Sequence, residues 1–214
     1  MILSKHSPEF SAMRHMLAGR ETVRVLAAMS PQQPDRLIRA TLEAAVEMGV
    51  RVTLMLADLE ARFAFLDEGM RPYVERGDIR LVALAGAVPR SWSRWVDYFP
   101  DSLWNIDRLL ASGAIPVDIV LARVWKKGGG DGYDYGAMSG YTHAGLATGA
   151  RAAFEVTEPV IAGLRATVDI AGGRAEFVCD TELEPEDAPA ARALSDAGAE
   201  AGRYAASLVP EDAT

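Results

Sequence analysis

Thr22-Val23-Arg24-Val25-Leu26-Ala27-Ala28 is an apolar run too short for a helix, and Ser30-Pro31-Gln32-Gln33-Pro34 follows it directly. The spacing of Leu37, Ile38, Leu42, Ala45 and Val46 then predicts one apolar helix face over Asp35 to Met48, with Gly49 as its stop. Val50 to Leu56 is a second buried strand. Strand, helix and strand within 35 residues (22–56) close as a right-handed parallel crossover, with both strands buried on their two faces.

The unit repeats along the chain. Ser7-Pro8-Glu9 opens a helix through Phe10, Met13, Met16 and Leu17, closed by Gly19. A short helix near Met70–Arg76 ends at Gly77, and Asp78 to Leu84 is a third strand. An aromatic segment carries Trp92, Trp95, Tyr98, Phe99 and Trp104. Asp101 or Ser102 caps a helix through Leu103, Ile106, Leu109 and Leu110, stopped by Gly113, and Val117 to Val124 is the fourth strand. A short helix over about Thr142–Thr148 precedes the fifth strand, Ala152 to Thr157. Residues 166–170 and 174–178 alternate apolar and polar about Gly172-Gly173, which predicts a hairpin. The alanine-rich stretch Asp187 to Leu208 predicts a terminal helix. The expected fold is α/β: one domain over residues 1–214, a mostly parallel sheet flanked by helices, with an appended C-terminal hairpin and terminal helix.

Composition narrows the function. Half of the 214 residues are hydrophobic and 24% are charged, as in ordinary globular domains. The single Cys179 can form neither an internal disulfide nor a cysteine-rich zinc site, so a reducing, cytoplasmic setting is expected. Apolar runs are too short for a transmembrane helix. The net charge of −8 lies almost wholly in residues 180–214, nine acids against two arginines. No clustered positive charge tracks a nucleic-acid backbone.

Chemistry concentrates in Lys126-Lys127-Gly128-Gly129-Gly130-Asp131-Gly132-Tyr133, just past the carboxyl end of the fourth strand, where open α/β sheets place their ligands. Glycines expose backbone N–H groups to a phosphate or an acyl oxygen, and two of only three lysines stand beside them. Ser30, Gln32 and Gln33 occupy the equivalent strand end of the first unit. The tryptophan segment offers an acyl or adenine pocket wall, or simply core cover. Dinucleotide-binding, Walker and nucleophile-elbow patterns are missing, and His6, His15 and His143 lack metal-ligand spacing, so no metal is expected. Cys179 reads as a small buried hydrophobe. Glu155 and Glu158 are the best-placed carboxylates, and neither has a partner visible in the sequence.

The run Asp97-Tyr98-Phe99-Pro100, followed by Leu109-Leu110-Ala111-Ser112-Gly113-Ala114-Ile115-Pro116-Val117-Asp118-Ile119-Val120-Leu121, resembles the N-terminal half of the acetyl-CoA hydrolase/transferase family. That family includes acetate and 4-hydroxybutyrate CoA-transferases of the class I group. Its proline-proline-aspartate loop is answered here by Lys127 to Tyr133, and Phe154-Glu155-Val156-Thr157 resembles its alanine-glutamate-valine-asparagine strand. Phe177 to Pro185 resembles its acidic strand, and Gly202 through Thr214 resembles the helix leading to its second domain. The loop departs from the pattern, with Lys127, Gly128 and Gly129 in place of the proline pair and aspartate.

The resemblance implies a subunit of a two-chain CoA-transferase or acyl-CoA hydrolase that ends where the second domain would begin. Coenzyme A thioester would be its substrate, with no tightly bound cofactor, and a partner subunit would supply the catalytic glutamate. Two alternatives share the fold: a repurposed decarboxylase, hydrolase or cyclase, and a non-catalytic subunit that binds a phosphorylated ligand or acts as a scaffold.

Overall fold

A computed structural model describes residues 7–29, 33–58, 63–127, 132–135, 139–157, 169–170, 172–181 and 195–209. The chain divides into two units, Met1–Glu182 and Leu183–Thr214. In the first, α1 (Pro8–Leu17) is capped by Ser7, whose side chain accepts from Phe10 N, and β1 (Thr22–Ala27) follows. Next come α2 (Asp35–Met48), β2 (Arg51–Asp58), α3 (Arg71–Glu75) and β3 (Ile79–Gly86). Gly49 ends α2 at φ +69°, where its N–H reaches the last-turn carbonyls of Ala45 and Val46, a left-handed geometry that suits glycine. The chain continues through β4 (Val96–Tyr98), α4 (Leu103–Ala111), β5 (Ile119–Lys126), β6 (Tyr133–Asp134), α5 (Thr142–Ala147), β7 (Arg151–Thr157), β8 (Asp169–Ile170) and β9 (Phe177–Asp180).

Seven strands form one parallel sheet in the order β4-β3-β2-β1-β5-β7-β9. The five strands expected from sequence are its interior, with short strands added at both edges. β1 winds outward through β2 and β3, whereas β5 returns to the other flank of β1 and winds through β7. The direction of winding therefore reverses between β1 and β5.

Strand alternation sends Val23, Val25, Ile119, Leu121 and Ala153 to one face, against α1, α2 and α3. It sends Leu26, Val120, Ala122, Val124, Phe154 and Val156 to the other, against α4 and α5. Leu37 and Ile38 at the start of α2 have no exposed surface, about 2 kcal/mol of stabilisation each. On the opposite face α5 presses close to the sheet: a Cβ on Gly145 would be driven into Leu26 Cδ2 and lie 3.3 Å from Val120 Cγ2. At the amino edge Asp118 joins β1 to β5, accepting from the backbone N–H of Arg24 at 2.8 Å and from its guanidinium at 2.9 and 3.0 Å. The Arg24 hydrogen bond holds the Asp118 carboxyl below the usual carboxylate range.

The fold class expected from sequence stands, with one correction. The segments around Gly172-Gly173 do not form a hairpin: β8 pairs antiparallel with β6, and β9 pairs parallel with β7. A 3-10 turn over Gly172–Arg174 separates them, so the glycine pair marks a crossing between two flanks. Residues 166–168 and 187–194 lie outside the described ones. In the second unit, α6 (Asp196–Ser207) is capped by Ser195, whose side chain accepts from Gly198 N. Among the described residues no helix is long and apolar enough to cross a membrane.

Candidate functional site at the carboxyl edge

Trp125 pairs with Thr157 of β7 and with Asp134 of β6. A strand has two hydrogen-bonding flanks, so β6 must lie on the β1 side of β5, beyond the last β1–β5 pair at Ala27 and Leu121. The glycine-rich segment is therefore the connection of a β5–β6 hairpin. Lys127 N donates to Gly132 O at 3.1 Å to close it. Gly132 is packed tightly: a Cβ there would meet Lys127 Cδ at 3.1 Å and Ile170 O at 3.4 Å. Gly128, Gly129, Gly130 and Asp131 lie outside the described residues, as do Ser30 and Gln32. What the structure brings together are the stems of the two sequence-predicted loops, which leave the adjacent strands β1 and β5 where the winding reverses.

The two faces of this edge differ in chemistry. Exposed Lys126 and half-buried Tyr133 are a cross-strand pair and share the α4/α5 face, and the Tyr133 ring meets Phe154 edge-on at 5.8 Å. Tyr135 is buried on the same face, and burial pushes its hydroxyl up to about 12. Tyr141 is fully buried and donates its hydroxyl to Ala27 O at 3.0 Å, tying α5 to the end of β1; burial raises its pKa well above the ordinary tyrosine value.

The α1/α2 face carries a buried ionic group. Glu155, fully buried, accepts from Leu37 N at 2.9 Å and faces Arg123 Nη2 at 3.3 Å across the β5–β7 register. Leu37 N–H is one of the donors left over at the first turn of α2, so Glu155 caps that helix from another strand. Burial raises the Glu155 pKa, while the charge of Arg123 and the Leu37 hydrogen bond draw it back. Gln33, also buried, donates Nε2 to Asp35 Oδ1 at 2.8 Å. Its Oε1 and the Thr157 hydroxyl are buried with no hydrogen-bond partner among the described residues. Arg36 bridges to Glu9 of α1. Cys179 is half-buried, and burial with the nearby charges of Glu155 and Glu9 pushes its thiol up to about 12, so it stays protonated and inert.

Sequence reasoning missed the partners of Glu155, because Arg123 lies 32 positions away and meets it only through strand pairing. It also grouped tryptophans that the fold separates. Trp92 and Trp95 stack with Arg71, at 5.5 and 5.0 Å from its guanidinium carbon, away from the site. Trp104 belongs to a cleft of about 280 Å³ on the α4/α5 face, with Met29, Asp107 and His143. Among the described residues no group of three or more His, Cys, Asp or Glu is placed to hold a metal ion.

No family model and no curated protein matches the chain. Its fold does match solved structures. RipA from Yersinia pestis aligns with a TM-score of 0.74 at 17% identity, covering 95% of this chain and 48% of that one. A point mutant of RipA gives 0.77 at 16% identity, covering 95% and 47%. The 4-hydroxybutyrate CoA-transferase from Porphyromonas gingivalis gives 0.52 at 15% identity, covering 83% and 39%. The sheet is thus CoA-transferase-like in architecture, and the chain spans about half the length of the RipA structures it matches.

Proposed function

We propose that this chain is one half of an enzyme acting on an acyl-CoA thioester, a CoA-transferase or acyl-CoA hydrolase. The observation that carries the reading is the meeting of the two loop stems at the winding reversal of a CoA-transferase-like sheet, with exposed Lys126 at the end of β5 and buried Gln33 just before α2. Lysine ammonium groups there attract the phosphates of a CoA nucleotide. Backbone donors of the 128–132 segment take the charge that develops on the thioester oxygen. Gln33 Oε1 and Thr157 Oγ1 are buried polar atoms beside these stems with no hydrogen-bond partner among the described residues.

The chain's own Glu155 is occupied with α2 and Arg123, so in this reading the attacking carboxylate belongs to a second module, which the chain's half-length match to RipA leaves room for. That carboxylate adds to the thioester carbon and expels the CoA thiolate. The test is reconstitution: the purified chain is mixed with a separately produced second half and CoA release is followed. Release that requires both halves, and weakens when Lys126 and Lys127 are replaced by alanine, supports the reading. CoA release by this chain alone would refute the shared site.

A further inference from the structure

Trp104 is 85% exposed on a helix whose Ile106 and Leu110 are fully buried. Its indole forms one wall of the cleft on the α4/α5 face, whose floor is Met29 and the buried ring of Tyr141. On the polar side are Asp107 and His143. His143 Nδ1 lies 3.1 Å from Gly140 O, which anchors the imidazole to its own helix start. Its Nε2 is 3.5 Å from Asp107 Oδ1, too far for a good hydrogen bond. Asp107 Oδ1 is buried with no hydrogen-bond partner among the described residues, while the side chain as a whole is 33% exposed toward the cleft's polar side. The cleft therefore combines a flat aromatic wall, an apolar floor and one partly exposed carboxylate.

We infer that this cleft is a binding site for an aminated aromatic ring of the adenine type, stacked on Trp104 with its exocyclic amine donating to the exposed part of the Asp107 carboxylate. A carboxylate at the polar side disfavours a phosphate or an acid in the cleft, and an all-aliphatic acyl chain leaves Asp107 without a donor. An aminopurine satisfies both the stacking face and the acceptor. As the nucleotide end of CoA, this ligand rests on the reading proposed above. Lys126 and the cleft share one face of the same sheet edge, so phosphates attached to a ring in the cleft run toward β5.

The experiment uses probes without phosphate, so that it does not depend on the lysines. The full chain is titrated with adenosine, with purine riboside (which lacks the amine) and with S-butyryl-N-acetylcysteamine. The Trp104 indole N–H and the His143 ring are followed by NMR, with affinities from calorimetry. Adenosine is expected to shift both signals saturably and to bind several-fold tighter than purine riboside. Trp104→Ala, at an exposed position, is expected to weaken adenosine about tenfold. Asp107→Leu is expected to abolish the preference for the amine.

Equal binding of the two nucleosides, no saturable shift with adenosine, or a cleft filled by the thioester instead would each overturn the inference. A parallel CoA titration of the Lys126→Ala/Lys127→Ala variant separates the two claims. Lysine-dependent CoA binding without an adenosine response leaves the thioester reading standing and sinks the cleft assignment. An adenosine response without CoA binding does the reverse.

Discussion

Removing Glu155 should cost more stability than any other single charge change in the described chain. Arg123 is only 11% exposed at its side chain and Glu155 is fully buried, so Glu155→Leu removes a buried carboxylate from beside a buried guanidinium. It also strips the acceptor from Leu37 N at the first turn of α2. Breaking one side of such a pair costs about 3–5 kcal/mol, a large share of a total stability of roughly 5–15 kcal/mol. For a domain of this size that is a fall in Tm of roughly 6–20 °C. Urea unfolding followed by tryptophan fluorescence reads it directly. Replacing both partners, Glu155→Leu with Arg123→Met, should recover most of the loss, because the desolvation of both charges disappears together. If Glu155→Leu costs less than about 1 kcal/mol, the pair behaves like a surface ion pair and the reasoning fails.

Further expectations concern pH, packing and the amino edge. Because burial raises the Glu155 pKa in the folded chain, its contribution is full below the unfolded glutamate value and is lost as pH rises through the folded one. The stability of the wild type minus that of Glu155→Gln should therefore shrink from acid toward neutral pH, and a difference that grows would contradict the burial argument. Asp118 has the opposite sign: its lowered pKa contributes above the unfolded aspartate value and is lost as pH falls through the folded one. Asp118→Asn should flatten the acid limb of the pH–stability curve, and an unchanged limb would show that Arg24 does not stabilise the ionised form. Gly145→Ala should destabilise by about 1–3 kcal/mol despite the better helix propensity of alanine, because its Cβ meets Leu26 and Val120; a gain in Tm would refute the close packing.

The parallel core was legible because its signals are local. Ser7 and Ser102 cap helices that begin where the sequence places them, and Gly49 stops α2 in the left-handed conformation its position predicts. The three-residue β4 lies inside the aromatic segment and shows no period of its own; only pairing with β3 makes it a strand. The glycine pair at 172–173 looks like a turn between partners, yet each flank finds a better partner elsewhere, β6 on one side and β7 on the other. At the site, Lys126 and Gln33 stand out by composition and position. The Asp107–His143 contact joins α4 to α5 across 36 positions, and no spacing rule reaches that far.

The carboxylate of Glu155 has a mechanical consequence. It fastens the entry of α2 to a strand on the far side of β5, so the connection after β1 and the flank beyond β5 are held by one clamp. Swinging α2 outward would tear a capped helix end from a buried ion pair. The face bearing α1 and α2 thus acts as a fixed jaw beside the mouth of the sheet edge, its position set by one buried carboxylate.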